Sequence, residues 1–199
     1  IAGKSRLPCR KRGGRDLVEF AWLRDWPDEL YHDLAWYYQV CERAGRWPSM
    51  TRINEVVLLP KGGSGEALDR RPITLLPTTY RVWAAWRGKQ LRSWLKEQGI
   101  SPAAEGAGPE DLACEFGLAS AAAKHTGEVA AAWATDFTKA YDTKPLCVVR
   151  WVLEAVGCPG EFVALCLSAY GAPRCVRTRK AIGPLHQVTH GIPAGCPFA

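Results

Sequence analysis

No two of the eight cysteines, at positions 9, 41, 114, 147, 158, 166, 175 and 196, stand in a CxxC pair. That argues against zinc, whose structural sites take closely spaced thiolate and imidazole ligands. A disulfide framework is equally out of place in a chain of 199 residues with Trp-rich segments. Reduced, buried thiols in an intracellular protein, nuclear or cytoplasmic, are the expectation. No apolar run reaches membrane-spanning length, so no membrane partner is expected. The N-terminus, IAGKSRLPCRKRGGR, has no apolar core and does not read as a secretory signal. Its first residue is Ile, not Met, which suits an excised piece or a partial gene. Internal repeats and long low-complexity tracts are absent too.

What is there is an ordinary globular composition, 47% hydrophobic and 23% charged, long enough for one large domain or two small ones. The net charge of +6 is unevenly spread. Residues 1–15 carry six basic side chains (Lys4, Arg6, Arg10, Lys11, Arg12, Arg15) and no acidic one. From Arg43 to Lys96 there are eleven basic residues against three acidic, and from Arg174 to Lys180 four against none. Two blocks of one sign separated by acidic sequence suit a polyanion groove, although a solvated surface carries the same pattern.

Hydrophobic spacing predicts a helix from Asp28, as N-cap, to Ala44, with Gly45 as its stop. Residues 16–28 read as an entry segment. A strand is predicted over Ile53–Leu59, ended by Pro60, then the loop KGGSGEALDRR and a second extended segment, PITLLP. Helices are predicted over Thr78–Glu97, Asp111–Lys124, Pro145–Val156 and Gly160–Ala169. Residues 129–136 read as a buried strand. CVRTRKAIGPLHQVT reads as a hairpin turning near Gly183-Pro184, and the stretch near Ser101–Pro109 as the best domain boundary. His186 and His190 lie four apart on a strand or turn, where helical metal-binding geometry does not apply.

The stretch ATDFTKAYDT, Ala134 to Thr143, places Asp136 at a strand end. A carboxylate there can hold a hard cation, and the Phe137 carbonyl adds a second oxygen; magnesium takes such ligands together with substrate phosphates. Taken alone, Asp136 is better read as a strand-end turn residue. Asp142 reads as structural, starting the next helix and capping amides near Thr143 and Lys144.

DFTKAYD, after a small-residue strand and before an amphipathic helix, resembles the first catalytic motif of reverse transcriptases of the non-LTR (LINE-like) retrotransposon and group II intron type. The resemblance implies that Asp136, with Phe137, binds the catalytic magnesium. It also implies that Tyr141 packs under the sugar of the incoming nucleotide and excludes a 2′-hydroxyl. A second resemblance covers VVLLPKGGSGEALDRRPITLLPTTYRVWAAW. There Lys61 and Arg71 take the positions that clasp the incoming triphosphate, one as a point charge and one as a planar fork. The rival P-loop is rejected, because KGGSGEALD lacks the GxxxxGK[ST] order; a flexible basic loop stays open. The third match, HGIPAGCPFA, resembles the family's G-(I/V)-x-Q-G-x-P turn. Gly191 and Gly195 would let backbone approach substrate and Pro193 and Pro197 would stiffen the turn, but Ala194 stands where the family usually has Gln.

The three matches keep the family's order and together run from Trp47 to Ala199. They imply an α+β fold: fingers and partial palm of a right-hand polymerase, truncated. The corresponding division is a basic tail (1–16), a fingers-like region (17–128) and a partial palm (129–199). The implied activity of the full-length relative is Mg2+-dependent RNA-directed DNA polymerisation, with dNTP, RNA template and DNA primer as partners. Arg81, Arg87 and Arg92 would track template phosphates. The family's adjacent Asp pair should follow the Gly-Pro turn, yet the sequence ends at Ala199, so this chain alone is expected to be inactive. The other readings are a nucleic-acid-binding module without catalysis and an unrelated basic α+β scaffold.

Overall fold

The computed structural model describes residues 13–60, 70–99, 109–129, 131 and 140–198. It is a mixed α+β structure with a three-stranded sheet in the order β2-β1-β3. Helix α1 (Phe20–Asp25) occupies the predicted entry segment and buries Phe20 and Leu23. Helix α2 spans Asp28–Ala44, and Gly45 ends it in the left-handed conformation (φ +60) with its N–H on the Cys41 and Glu42 carbonyls. Pro27, not Asp28, holds the N-cap position; Asp28 is the first helical residue, where its charge still meets the helix N-terminus.

Strand β1 (Asn54–Pro60) pairs antiparallel with β2 (Arg70–Leu75), Leu59 opposite Arg71. On its other side β1 pairs in parallel with β3 (Arg174–Arg177), Asn54 opposite Arg174. The buried Glu55 carboxylate accepts from Arg177 at 2.7 Å, tying this parallel register. Parallel strands need a long crossover, and here it contains α3 (Thr78–Glu97), α4 (Pro109–Thr126), α5 (Ala140–Thr143), α6 (Leu146–Ala155) and α7 (Gly160–Tyr170). The chain forms two compact units, Ile1–Ala85 with Lys139–Ala199, and Trp86–Thr138. The predicted strand over 129–136 lies almost wholly outside the described residues, as does the boundary stretch near Ser101–Pro109, of which Pro109 begins α4.

The hairpin after α7 turns earlier than Gly183-Pro184. The amides of Lys180 and Ala181 donate to the Thr178 hydroxyl, closing a turn at 178–181, and the Gly183 N–H donates to the Val176 carbonyl at 2.8 Å. A Thr hydroxyl that satisfies two local amides outcompetes the Gly-Pro pair as the reversal point. Seven described cysteines are unpaired thiols; Cys41, Cys158, Cys166, Cys175 and Cys196 are buried, whereas Cys114 and Cys147 are exposed. Among the described residues no helix is long and apolar enough to cross a membrane.

Helix α7 is apolar on every side, and correspondingly Val163, Leu165, Cys166, Leu167, Ala169 and Tyr170 are all buried. It packs on α2 and on α6. Beside it lies an aromatic cluster centred on Trp47, whose ring centroid is 5.4 Å from that of Trp83 and 5.7 Å from that of Tyr80. Its indole N–H donates to the Leu165 carbonyl at 3.2 Å. Burial pushes the Tyr37 phenol up to about 12 and those of Tyr38, Tyr80 and Tyr170 well above their ordinary value. Groups that ionise more readily unfolded than folded lend stability that is complete below their unfolded pKa and is lost as pH rises toward the folded one. The urea midpoint is therefore expected to fall steeply from about pH 10 upward, the ordinary phenol range; a flat midpoint through pH 12 would contradict this.

Helix α3 begins under a carboxylate from far upstream. Asp16 Oδ2 accepts from the Thr79 N–H at 2.9 Å and from its hydroxyl at 3.1 Å. Nothing in the local sequence of α3 announces this cap. Asp16→Ala is expected to cost about 1 kcal/mol, read as a shift in the urea midpoint.

Candidate functional site

The Gly-Pro turn and the Tyr141 segment are one structural unit. Helix α5 carries Tyr141, half exposed, and Asp142. The Ile192 N–H donates to the Tyr141 carbonyl at 2.7 Å, the Gly191 N–H to the Lys144 carbonyl at 2.8 Å, and the Leu146 N–H to the Thr189 carbonyl at 3.1 Å. Pro145 and His190 form a bridge beside them. Gly191 has φ +90, and a Cβ there would stand 3.0 Å from the Asp142 carbonyl oxygen and 3.2 Å from that of Tyr141. Its close approach is thus to the chain's own backbone, between two segments distant in sequence. Gly195 differs: φ is +93, but a Cβ would meet nothing within 4 Å. Only its left-handed conformation calls for glycine, and the space beside it is open.

The far end of the turn is anchored in the core. Pro193 is buried, and its carbonyl accepts from the Cys196 N–H. The Cys196 thiol lies between the hydroxyls of Tyr80 (3.0 Å) and Tyr170 (3.4 Å), and Phe198 packs edge-on against Trp83 and Phe162. Both ends being held, Ala194 and Gly195 form its outward part, half-buried and exposed respectively.

Asp142 does not begin the helix that follows. It lies within α5, exposed, while Pro145 holds the N-cap position of α6, whose fixed φ suits that place. Arg174, noted in the sequence only as part of a basic block, reaches the turn. Its Nη2 donates to the Gly191 carbonyl at 2.7 Å and, more weakly, to the Tyr170 carbonyl at 3.4 Å. Burial pulls this guanidinium below its ordinary pKa, against a smaller opposing pull from Asp142. No local pattern marks this role, because the acceptors belong to a helix end and a turn that only the fold brings near.

The other predicted residues are placed less tightly. Arg71 is exposed on β2, opposite Leu59. Leu59 is five residues along β1 from Asn54, the partner of Arg174, which is about 16 Å at strand rise. The sheet alone therefore does not bring Arg71 to the turn. Lys61, Asp136 and Phe137 lie outside the described residues. Arg81 lies over the Phe20 ring at 4.6 Å from its centroid, and burial lowers its pKa against the pull of Asp16. It is engaged with the fold through this ring contact. Arg87 donates to Gln90 at 2.6 Å and lies over the Trp86 ring, and Arg92 is exposed. His186 and His190 are both exposed and non-helical. Among the described residues no three His, Cys, Asp or Glu side chains gather to hold a metal ion.

No protein-family model matches the chain, and no curated protein matches it.

Proposed function

We propose that this chain is the fingers and part of the palm of a reverse-transcriptase-like polymerase, a retroelement-type nucleotidyltransferase that takes an RNA template, a DNA primer and a dNTP. The observation that carries the reading is the joining of the Gly191–Gly195 turn to the Tyr141 segment by backbone hydrogen bonds. The Tyr141 end of one motif and the Gly-Pro turn of another meet in space through their backbones, and the Tyr141 ring is half exposed. A flat ring so placed can pack against C2′ of a nucleotide sugar and leave no room for a hydroxyl. Lys61 and Arg71 would neutralise the triphosphate from the β1–β2 hairpin.

Asp136 and the Phe137 carbonyl are hard oxygen donors of the kind magnesium takes, so their chemistry fits the ion. Bound there, it would assist attack of the primer hydroxyl on the α-phosphate and steady the leaving pyrophosphate. The residues of this chain would position the substrate: Tyr141 the sugar, the turn the base-paired end, Lys61 and Arg71 the phosphates.

Ala194 in place of the family's Gln favours a second reading, nucleic-acid binding without polymerisation. Template–primer titrations and an extension assay separate the two. The chain is expected to bind an RNA–DNA template–primer with log K falling against log salt at a slope of about −3 or steeper, and primer extension with Mg2+ decides between the two readings. Binding independent of salt would contradict both readings and leave an unrelated basic scaffold. Robust extension would overturn the second reading.

A further inference from the structure

The Gly191–Ile192 peptide group is held at both of its polar ends. Its carbonyl accepts from Arg174 Nη2 at 2.7 Å, and its N–H donates to the Tyr141 carbonyl at 2.7 Å. A cation on a peptide carbonyl draws electron density from the amide and strengthens its N–H as a donor. The effect is larger where the cation is partly out of water, and Arg174 is half-buried among the end of α7, the turn and β3. Its Nε is buried with no hydrogen-bond partner among the described residues. Of its two acceptors the Gly191 carbonyl is the nearer, so the shared peptide takes its strongest contact. Only the positive φ of Gly191 turns this peptide so that one face meets Arg174 and the other Tyr141.

We infer that Arg174 is a positioning residue, which fixes the backbone of Tyr141 through the Gly191–Ile192 peptide and so sets how closely the Tyr141 ring approaches a nucleotide sugar. The sugar half of this inference rests on the nucleotide reading of the site; the backbone half does not.

The test uses the whole chain with two substitutions, Arg174→Met and Arg174→Lys. The first readout is amide hydrogen exchange at Ile192, referenced to the Val56 amide in β1. Arg174→Met is expected to raise Ile192 exchange about tenfold or more relative to Val56, the size of losing a charge-assisted hydrogen bond. Arg174→Lys, which keeps the charge without the fork, is expected to restore part of the protection. The second readout is the ratio of affinities for dATP and ATP, each with Mg2+, which is expected to fall toward unity in Arg174→Met and recover in Arg174→Lys. A merely structural arginine would weaken both nucleotides alike. Should Arg174→Met fail to fold, Arg174→Lys gives both readings at smaller amplitude. Unchanged Ile192 exchange in the folded variants overturns the positioning role. Raised exchange with an unchanged dATP-to-ATP ratio overturns the link to the sugar. A wild-type chain that binds neither nucleotide overturns the nucleotide reading, and the exchange result then decides the backbone role alone.

Discussion

Trp47→Ala is expected to destabilise the protein by about 3–5 kcal/mol, a large fraction of the stability of a domain this size. Trp47 is 2% exposed and is ringed by Tyr37, Tyr38, Tyr80 and Trp83. Truncation leaves a cavity walled by rigid rings that cannot close on it, and the cost grows with the volume left behind. Its backbone is also committed, since the Trp47 N–H donates to the Ser168 hydroxyl at 3.1 Å. That contact survives the substitution, so the loss measures the ring. Trp47→Phe keeps part of the ring packing while giving up the second ring and the bond to the Leu165 carbonyl, so a smaller cost is expected. Urea unfolding followed by circular dichroism reads both. A loss below about 1 kcal/mol for Trp47→Ala would contradict the placement of this ring at the centre of the core.

Gly191→Ala is the second large effect, and its comparison with Gly195→Ala carries the information. Both glycines hold positive φ, so alanine at either costs on the order of 1–3 kcal/mol in backbone strain. Only at Gly191 does the added methyl press on backbone, the carbonyl oxygens of Asp142 and Tyr141, and those atoms belong to α5 and cannot swing away as a side chain end would. Gly191→Ala should therefore cost clearly more than Gly195→Ala and should separate the turn from the Tyr141 segment. The separation reads as faster exchange of the Ile192 and Gly191 amides. Equal costs at the two positions would show that the close approach at Gly191 does not hold the site together.

Much of the helical framework was legible from periodicity and punctuation. Asp28–Ala44 and Thr78–Glu97 fall where apolar spacing and the flanking Pro27, Gly45 and Pro77 place them. The β1–β2 pair follows from a β-branched run, a glycine-rich loop and a second short run. What could not be read locally were contacts made across long separations. The parallel pairing of β1 with β3, the Asp16 cap on Thr79 and the Arg174 bond to Gly191 each join residues whose own neighbourhoods carry no sign of the partner. The reversal at Thr178 was missed because Gly-Pro is a stronger turn signal than a single Thr, yet two amides on one hydroxyl decide the geometry. Of the site, the turn and Tyr141 were legible as motifs; that Gly191 exists to let one meet the other was not, since glycine signals close approach without saying to what.

On the proposed function, a metal-bound nucleotide sits beside the joined turn and Tyr141. Manganese can replace magnesium at oxygen ligands and broadens nearby amide resonances, so titration of the labelled chain with Mn2+ and dATP tests it most directly. Broadening of the Tyr141, Ala194 and Gly195 amides that needs dATP and disappears in Asp136→Asn is the expected result. Broadening confined to other parts of the chain, or unchanged in Asp136→Asn, would contradict it.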